Sequence, residues 1–253
     1  MKEKKDPDQG ILRTENISKD FGALRAVNQV SLTVESGVHS IIGPNGAGKT
    51  TLFNLLTGFL HPDEGKIFYQ GKDITHSEPY KISQLGLARS FQITSIFPEL
   101  SVYENARLAV QSRLKSSHNF LISYKSLKGV EEKTEKVLKD VGLYTEAGVT
   151  AKNLPYGLQR CLDIGISLAT EPRIILLDEP TSGLSQEDAN RIIQLVSGIS
   201  KQIPVLVIEH NIDIVLSISD IITVMYQGGV LAEGPASEIT TNQRVQEAYL
   251  GGI

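Results

Sequence analysis

The stretch Gly43-Pro-Asn-Gly-Ala-Gly-Lys-Thr-Thr51 decides the fold predicted for this chain. It follows the largely apolar run Ser40-Ile41-Ile42, which is typical of a buried strand, and precedes a helix-like segment at residues 51–56. A glycine-rich turn between a buried strand and a helix is typical of a phosphate-binding loop, because its backbone N–H groups and the helix dipole attract an anion. In such a loop Lys49 reaches the β- and γ-phosphates, and the Thr50 hydroxyl ligates Mg²⁺. The stretch therefore predicts a nucleotide-binding α/β protein.

The composition limits the class of protein. With 253 residues, 40% of them hydrophobic and 21% charged, the chain fits a globular protein of one large or two modest domains. A net charge of −4 argues against broad sequence-independent contact with nucleic acid, which favours a basic face. Nucleic acid is therefore not an expected partner.

Cysteine usage and the first residues bear on the compartment. The one cysteine, Cys161, leaves no disulfide within the chain, which is typical of a reducing compartment, and we expect it to be a buried structural thiol. Residues 1–10 are charged and lack the apolar segment of a secretion signal, so we expect a mobile tail there. Since the sequence has no run of about 18 apolar residues, a membrane role requires a partner.

Apolar runs alternate with helical patterns over much of the chain. We expect strands at residues 11–17, 27–34, 66–70, 173–177, 204–208 and 221–225, a turn at 71–73, and helices at 51–56, 157–170 and 186–201. Alternation within residues 30–34 favours an antiparallel strand, whereas strands separated by helices indicate a mostly parallel sheet covered on both faces. The predicted fold class is therefore α/β, with antiparallel strands near the N-terminus.

The pattern changes after residue 92. Residues 101–142 are mostly helical, and Ser101 with Glu104 three residues later forms a capping-box pattern. Residues 112–129 are polar without clear periodicity, so a surface loop and a helix both remain open there. We predict an α/β core at residues 11–92 with 158–240, an inserted helical subdomain at residues 93–157, and a C-terminal segment at residues 241–253.

A second stretch, Ile174-Ile-Leu-Leu-Asp-Glu179, delivers two carboxylates at the end of an apolar strand. Active sites of α/β proteins form at such strand ends. Asp178 would hold Mg²⁺ through water, and Glu179 would polarise a water for attack on the γ-phosphate. An acidic pair that only caps the turn before Pro180 is the alternative.

The order of these motifs resembles the ATPase subunits of ATP-binding cassette (ABC) transporters. Leu177-Asp-Glu-Pro-Thr-Ser-Gly-Leu184 is similar to their Walker B motif and D-loop, and the phosphate loop has their form. The resemblance extends from residue 11 to residue 250. Three further stretches look like the ATPase subunits of branched-chain amino acid importers: Gly86-Leu-Ala-Arg-Ser-Phe-Gln92, Leu154-Pro-Tyr-Gly-Leu-Gln-Arg160, and the tail from Leu231-Ala-Glu-Gly-Pro-Ala-Ser-Glu-Ile239 to Ala248-Tyr-Leu-Gly251.

The resemblance implies a P-loop NTPase of the ABC-ATPase fold, with ATP and Mg²⁺ as cofactors. Phe21 matches the aromatic residue that stacks on adenine, with a core phenylalanine as the alternative. Gln92 matches the glutamine that touches Mg²⁺ or the attacking water and senses the membrane part, with an ordinary surface residue as the alternative. His210 matches the histidine that contacts the γ-phosphate and orders Glu179 and the water.

The site residues implied by the resemblance form three groups. The catalytic group is Lys49, Gln92, Glu179 and His210. The Mg²⁺ group is Thr50, Gln92 and Asp178. The nucleotide contacts are Phe21, Gly43, Pro44, Asn45, Gly46, Ala47, Gly48, Lys49, Thr50, Thr51 and Gly157.

Two motifs depart from the family pattern. The usual signature Leu-Ser-Gly-Gly-Gln is here Leu154-Pro-Tyr-Gly-Leu158, so Pro155 cannot supply the serine hydroxyl that binds the γ-phosphate. Gly157 and the N-terminus of the following helix can still offer backbone N–H groups, and Gln159 is a candidate for the missing glutamine. In the D-loop, Ser185 replaces the usual aspartate. Weaker closure or slower turnover stays open, so Pro155 and Ser185 are not counted among the expected site residues.

The resemblance also implies partners. In this family two ATPase subunits face each other head to tail, so we expect a homodimer or a heterodimer with a related ATPase. Integral membrane permease subunits and, indirectly, a solute-binding protein complete an importer, which would place the chain peripherally on the cytoplasmic face of the cell membrane. Ile93, Ile96 and Phe97 are candidates for the permease contact, with subdomain core as the alternative.

The predicted function is that of an ATP-hydrolysing subunit that powers import of branched-chain amino acids or related amide and amino acid solutes. One alternative is the ATPase of another ABC system, for lipopolysaccharide or other export. Another is a permease-free ABC ATPase that acts on ribosomes or DNA, although such proteins usually carry tandem cassettes or long coiled-coil insertions. The transported solute, and homodimer against heterodimer, stay open.

Overall fold

A computed structural model describes residues 10–90, 96–113 and 124–250, with the backbone alone for residues 124–128 and 249–250. Several sequence-based expectations lie outside these residues. They are the tail at residues 1–9, Gln92, Ile93, and most of the segment 112–129 in which loop and helix remained open.

Strands β1 to β11 follow in chain order. Their bounds are Leu12–Phe21, Leu24–Val30, Thr33–Val34, Val38–Ile42, Glu64–Tyr69, Lys72–Asp73, Leu87–Arg89, Ile174–Asp178, Val205–Ile208, Ile221–Tyr226 and Gly229–Gly234.

Helices α1 to α9 have the following bounds: Lys49–Leu56, Pro79–Leu85, Val102–Ser112, Tyr124–Asp140, Tyr156–Ala169, Gln186–Ser200, Ile212–Ile218, Ala236–Thr241 and Gln243–Leu250. A short 3₁₀ turn, Ala151–Asn153, precedes α5. In the described part of the chain, no helix combines the length and the apolar character needed to cross a bilayer.

Two sheets position these helices. The larger sheet has the order β11-β10-β4-β9-β8-β7, and its pairs are parallel except for β10 with β11. The smaller sheet, β2-β1-β5-β6 with β3 paired to β1, is antiparallel. This topology confirms the predicted α/β class with antiparallel strands near the N-terminus.

Apolar side chains pack on both faces of the larger sheet. Every residue of β4, β8 and β9 is buried, which explains the continuous apolar runs of β9 and of β8 up to Leu177. Successive residues of β8 join different clusters, because strand side chains alternate between faces. Leu176 packs with Leu52 and Phe53 of α1. Leu177 packs with side chains of α3, α4, α5 and α6 on the other face, in an apolar group that we call the second cluster.

A capping box begins α3, as predicted. The Ser101 hydroxyl accepts a hydrogen bond from the Glu104 N–H at 3.1 Å, and Glu104 Oε2 accepts from the Ser101 N–H at 2.9 Å. These bonds satisfy N–H groups at the helix start. Helix α5 begins at Tyr156, so the predicted boundary between residues 157 and 158 falls within its first turn. Through the second cluster, α5 packs on both the sheet and the helices of the inserted region.

One predicted turn is right only in part. Gly71 lies in a turn, but residues 72 and 73 form β6 and pair with the end of β5. The chain reverses one residue earlier, at Gln70 and Gly71, whose φ angles are 50° and 75°. Two consecutive residues of positive φ are enough for a tight hairpin, so the strand resumes at once.

Cys161 provides a test of the second cluster, and its predicted burial is confirmed. The side chain is fully buried, and burial raises the pKa of the thiol to about 11. At about pH 8 we expect no reaction of the native protein with an aromatic disulfide reagent, and one reactive thiol per chain in guanidinium, because the reactive species is an accessible thiolate. Absorbance of the released thiolate measures this, with Cys161→Ala as the blank. Rapid reaction of the native protein would contradict the packing.

Candidate nucleotide-binding site

Three glycines let the loop between β4 and α1 curl tightly. Gly43, Gly46 and Gly48 have φ angles of 155°, 80° and 98°. A Cβ on Gly43 would lie 2.2 Å from the Met225 carbonyl oxygen, and a Cβ on Gly48 would lie 2.2 Å from the Ala26 carbonyl oxygen. Only glycine meets both the conformation and the space. The loop backbone therefore lies directly against β10 and β2.

Lys49, the first residue of α1, is buried beside this loop. Its Nζ donates to the carbonyl oxygens of Gly43 at 2.7 Å and Pro44 at 3.0 Å. Burial lowers the pKa of the ammonium group, and the carboxylates of Glu179 and Asp178 oppose that change. An anion in the loop would give this buried cation a further charge partner.

The N-terminus of α1 is open to an anion. Gly48 occupies the N-cap, and no side chain of the described residues caps this helix. The first N–H groups of a helix lack intrahelical partners and carry the positive end of its dipole.

The loop forms one wall of a cleft of about 540 Å³, which is the size of a small-molecule site. The cleft is lined by Phe21, Leu24, Arg25, Ala26, Asn45, Gly46, Ala47, Gly48, Lys49, Thr50, Thr51, Glu179, His210, Gln227 and Gly228.

Phe21 lies at the edge of this cleft, at the end of the β1–β2 hairpin. Its side chain is 48% exposed, so the alternative of a core phenylalanine is wrong. Leu24, across the same turn, is 66% exposed. The Nζ of Lys19 lies 6.0 Å from the centroid of the Phe21 ring. An exposed aromatic ring beside a phosphate loop has the chemistry to stack on a planar base.

The carboxyl ends of β8 and β9 deliver the predicted catalytic pair. Asp178 ends β8, and Glu179 follows with a left-handed φ of 48°. Its N–H donates to the Ile208 carbonyl oxygen at 2.9 Å, which extends the pairing with β9. Nε2 of His210 lies 2.6 Å from Oε1 of Glu179. The structure thus brings Glu179 and His210 together at the mouth of the cleft that Lys49 also lines.

Arg89 makes a buried ion pair for which the sequence analysis assigned no role. Its Nη2 donates to Asp178 Oδ2 at 2.8 Å, and the two side chains are 8% and 5% exposed. Its Nη1 donates to Asn54 Oδ1 at 2.7 Å and Thr57 Oγ1 at 3.1 Å. The available signal was an arginine at the end of a short apolar strand. One oxygen of the predicted Mg²⁺ carboxylate is therefore held by this guanidinium.

Glu209 is a second residue that the sequence analysis left without a role. It is 3% exposed and follows β9 as Glu179 follows β8. An acid directly after four apolar residues and directly before His210 was its signal.

Three predicted nucleotide contacts do not line the cleft. Gly43 and Pro44 belong to the loop, and their carbonyl oxygens accept hydrogen bonds from Lys49 Nζ. Gly157 is the third. It is buried at the start of α5, where a Cβ would lie 2.3 Å from Cγ of Asp188.

The departures from the family signature have local structural partners. Pro155 is the N-cap of α5, and the Gln159 side-chain amide donates to the Leu154 carbonyl oxygen at 2.9 Å. Ser185 is the N-cap of α6, and its hydroxyl accepts from the Asp188 N–H at 3.2 Å. Each of these residues therefore contributes to a helix start.

The oxygen ligands at the site fit Mg²⁺ that is bound together with a nucleotide. Among the residues that the structure describes, no group of three or more His, Cys, Asp or Glu could hold a metal ion alone. Thr50, in the first turn of α1, and Asp178, at the end of β8, offer the oxygen ligands that Mg²⁺ prefers. In such sites phosphate and water oxygens complete the coordination.

Comparison with known families and relatives agrees with this geometry. The ABC transporter family model matches residues 27–182, and the model for the branched-chain amino acid ATP-binding cassette transporter matches residues 230–252. The chain is 37% identical over 246 residues to the probable branched-chain amino acid transport ATP-binding protein LivG of Archaeoglobus fulgidus, covering 95% of each protein. It is 39% identical over 251 residues to the high-affinity branched-chain amino acid transport ATP-binding protein BraF of Pseudomonas aeruginosa, covering 95% of this chain and 98% of the relative.

Solved structures are similar over the same length. A nucleotide-free ATP-binding cassette from an ABC transporter superposes with a TM-score of 0.82 at 35% identity, covering 95% of this chain and 99% of that one. The ADP conformation of an ATP-binding cassette of an ABC transporter gives a TM-score of 0.81 at 35% identity, covering 95% and 98%.

Replacement of Lys49 tests the phosphate loop. Lys49→Ala removes the cation that would contact the β- and γ-phosphates, so we expect ATP affinity to fall by about 100-fold, the loss of charged hydrogen bonds. Isothermal titration calorimetry measures this. Lys139→Ala, which removes an exposed cation on α4, is the matched control and should bind like the wild type. Unchanged affinity of Lys49→Ala would refute the role of the loop.

Proposed function

Because the chain belongs to the ABC transporter family and is an ATPase of that family, we propose that it powers import of branched-chain amino acids or related amide and amino acid solutes. The single observation that carries the proposal is the cleft shared by Lys49, Glu179 and His210 in a chain whose relatives are named for branched-chain amino acid transport. The C-terminal part of the chain supports the proposed solute class, because residues 230–252 match the model for the branched-chain amino acid ATP-binding cassette transporter.

The proposed hydrolysis uses groups from the phosphate loop, from the β1–β2 hairpin and from the carboxyl ends of β8 and β9. The loop N–H groups and Lys49 bind the β- and γ-phosphates, and Phe21 stacks on adenine. Glu179 accepts a proton from the attacking water, while His210, 2.6 Å away, fixes the carboxylate and contacts the γ-phosphate. Bound Mg²⁺ would neutralise charge on the phosphates. Thr50 and Asp178 would hold it, with Gln92 as a further proposed contact.

We propose a dimer because one chain supplies only part of the site. Gly157 and the start of α5 do not line the chain's own cleft, so their phosphate contact requires a second ATPase subunit. No side chain caps α5 among the described residues, which leaves the first N–H groups of a 14-residue helix for an anion. The second subunit is either this chain or a related ATPase.

We propose that a membrane permease docks beside β7. A surface cleft of about 260 Å³ lies there, lined in part by Phe59, Tyr80 and Arg89. Phe59 is 53% exposed and Tyr80 60%, and Phe97, one of the three predicted docking residues, is 56% exposed. Exposed aromatic residues are enriched at protein interfaces. Ile96, by contrast, packs against the second cluster, which favours the core alternative for that residue.

Phe97 is held outward by its backbone. The side-chain oxygen of buried Asn105 accepts from the Phe97 N–H at 2.7 Å, and its amide donates to the Phe97 carbonyl oxygen at 3.0 Å. A rigid display of this kind lowers the conformational entropy lost on binding. Permease docking would hold the chain peripherally at the cytoplasmic face of the membrane, with a solute-binding protein on the other side.

Glu179→Gln tests the proposed general base. The amide keeps the shape of the side chain but cannot take a proton, so we expect ATP binding at wild-type affinity and a fall in kcat of about 100-fold or more. Phosphate release measures turnover, and size-exclusion chromatography with ATP measures the closed dimer that should accumulate. Glu187→Gln, an exposed acid in the first turn of α6, is the control. Turnover at the wild-type rate would remove Glu179 from this role.

Replacement of an exposed aromatic residue by aspartate tests the proposed permease-docking surface, and transport by the recovered complex tests the proposed solute class. We expect the wild-type chain to recover membrane permease subunits from solubilised membranes, and vesicles containing that complex to import branched-chain amino acids on ATP addition. Tyr80→Asp and Phe97→Asp should lose the permease by placing a charge in an apolar contact, while keeping the ATP affinity of the free chain.

Tyr144→Asp is the control for these variants, because Tyr144 is an exposed aromatic residue that neither lines the cleft beside β7 nor belongs to the predicted docking residues. Normal recovery of the permease by both test variants would reject this docking surface. A complex that transports another class of solute would reject the proposed substrate.

A further inference from the structure

We propose that Glu209 is a positioning residue that holds the Glu179–His210 pair in the geometry required for hydrolysis. This inference rests on the proposed function, since it acts through the proposed general base. Glu209 is a buried carboxylate, 3% exposed, that directly precedes His210 in the chain.

The contacts of Glu209 reach both segments. Its Oε1 accepts two hydrogen bonds from Thr181, one from the backbone N–H at 3.0 Å and one from the hydroxyl at 2.6 Å. Its Oε2 accepts from the backbone N–H of His210 at 3.1 Å. One carboxylate therefore joins the segment after Glu179 to the segment that carries His210.

The backbone of Glu209 is fixed as well. Its N–H donates to the Ile41 carbonyl oxygen at 3.4 Å, so the residue continues the pairing of β9 with β4. Since β4 leads directly into the phosphate loop, Glu209 is tied to all three parts of the candidate site. Its side chain does not line the nucleotide cleft. It therefore acts on the reaction by positioning other residues.

Glu179 needs such support because its backbone is strained. Its φ of 48° lies in the left-handed region, which a residue with a Cβ adopts only when the surroundings enforce it. The strand pairing holds its N–H, and the turn that follows holds its carbonyl oxygen through the Ser182 N–H at 3.2 Å. Thr181 is one of the two central residues of that turn, beside Pro180. The two bonds from Thr181 to Glu209 therefore anchor the turn to the sheet.

A carboxylate suits this position better than an amide. All three surrounding groups are donors, and a carboxylate has only acceptor atoms. Glutamine would turn an N–H donor toward either His210 or Thr181, so at least one bond would be lost. The expected consequence is a displaced Glu179 carboxylate and slower chemistry, with nucleotide binding little changed.

The test compares Glu209→Gln with Glu233→Gln. Glu233 on β11 also accepts a hydrogen bond from a threonine hydroxyl, that of Thr223 at 2.5 Å, but it does not line the cleft. We expect Glu209→Gln to lower kcat by about tenfold or more while the ATP dissociation constant stays within about twofold. Glu233→Gln should retain both values.

A double-mutant cycle separates positioning from general stability. If Glu209 acts through the Glu179–His210 pair, Glu209→Gln should slow single-turnover hydrolysis by less than about twofold in a His210→Ala background. A role in stability alone would give the same factor in both backgrounds. Thr181→Val keeps the shape of the side chain and removes its hydroxyl bond to Glu209, so it should show a smaller loss of kcat with the same dependence on His210. This variant also tests the proposal where Glu209→Gln fails to fold.

The outcomes are distinct. Wild-type kcat for Glu209→Gln, or for Thr181→Val where the former does not fold, overturns the positioning role, and so does an equal loss in the His210→Ala background. If Glu179→Gln is inactive while Glu209→Gln is normal, this inference fails and the proposed function stands. If Glu179→Gln turns over like the wild type, the general-base proposal fails and the inference fails with it.

Discussion

The candidate site depends on the register of three parallel strands. Ile208 of β9 pairs with Ile41 of β4 on one side and with Asp178 of β8 on the other. The phosphate loop, the Glu179 segment and the His210 segment therefore leave the sheet at the same height and on the same edge. A shift by one residue would turn every side chain of a strand to the opposite face and so exchange its two apolar clusters. The packing that stabilises the fold thus also fixes the distance between Glu179 and His210.

Buried charges surround this edge and are matched by specific partners. Arg89 pairs with Asp178 and also donates to Asn54 and Thr57 of the α1 segment. Removal of one member of a buried pair costs about 3–5 kcal/mol, because the remaining charge loses its compensation. Cζ of Arg89 also lies 5.9 Å from the centroid of the Phe59 ring, and Phe59 lines the proposed permease cleft. A single side chain thus contacts both that cleft and the proposed Mg²⁺ carboxylate.

The sequence predicted the strands and helices that have strong periodicity or a glycine signal. It predicted the phosphate loop, the strand before Asp178 and the capping box at Ser101, because each depends on neighbouring residues alone. It missed the roles of Arg89 and Glu209, since their partners come from distant parts of the chain. The Arg89–Asp178 contact spans 89 positions, and the Thr181–Glu209 contact spans 28. The sequence placed the end of the turn too late, at residue 73. The chain reverses over only two residues, Gln70 and Gly71, so that β6 begins at residue 72.

The irregular signature changes which groups can contact phosphate across a dimer. Pro155 has neither a hydroxyl nor a backbone N–H, and Gln159 already donates to the Leu154 carbonyl oxygen. Backbone N–H groups at the start of α5 are therefore the donors that remain for an anion. The Asp188 side chain packs against Gly157 there, and its negative charge opposes an approaching phosphate. A Cβ at residue 157 would meet that side chain, so glycine lets α5 lie close to α6. In the proposed dimer, phosphate binding at the start of α5 would then depend on the helix dipole and on the fit between subunits rather than on a serine hydroxyl.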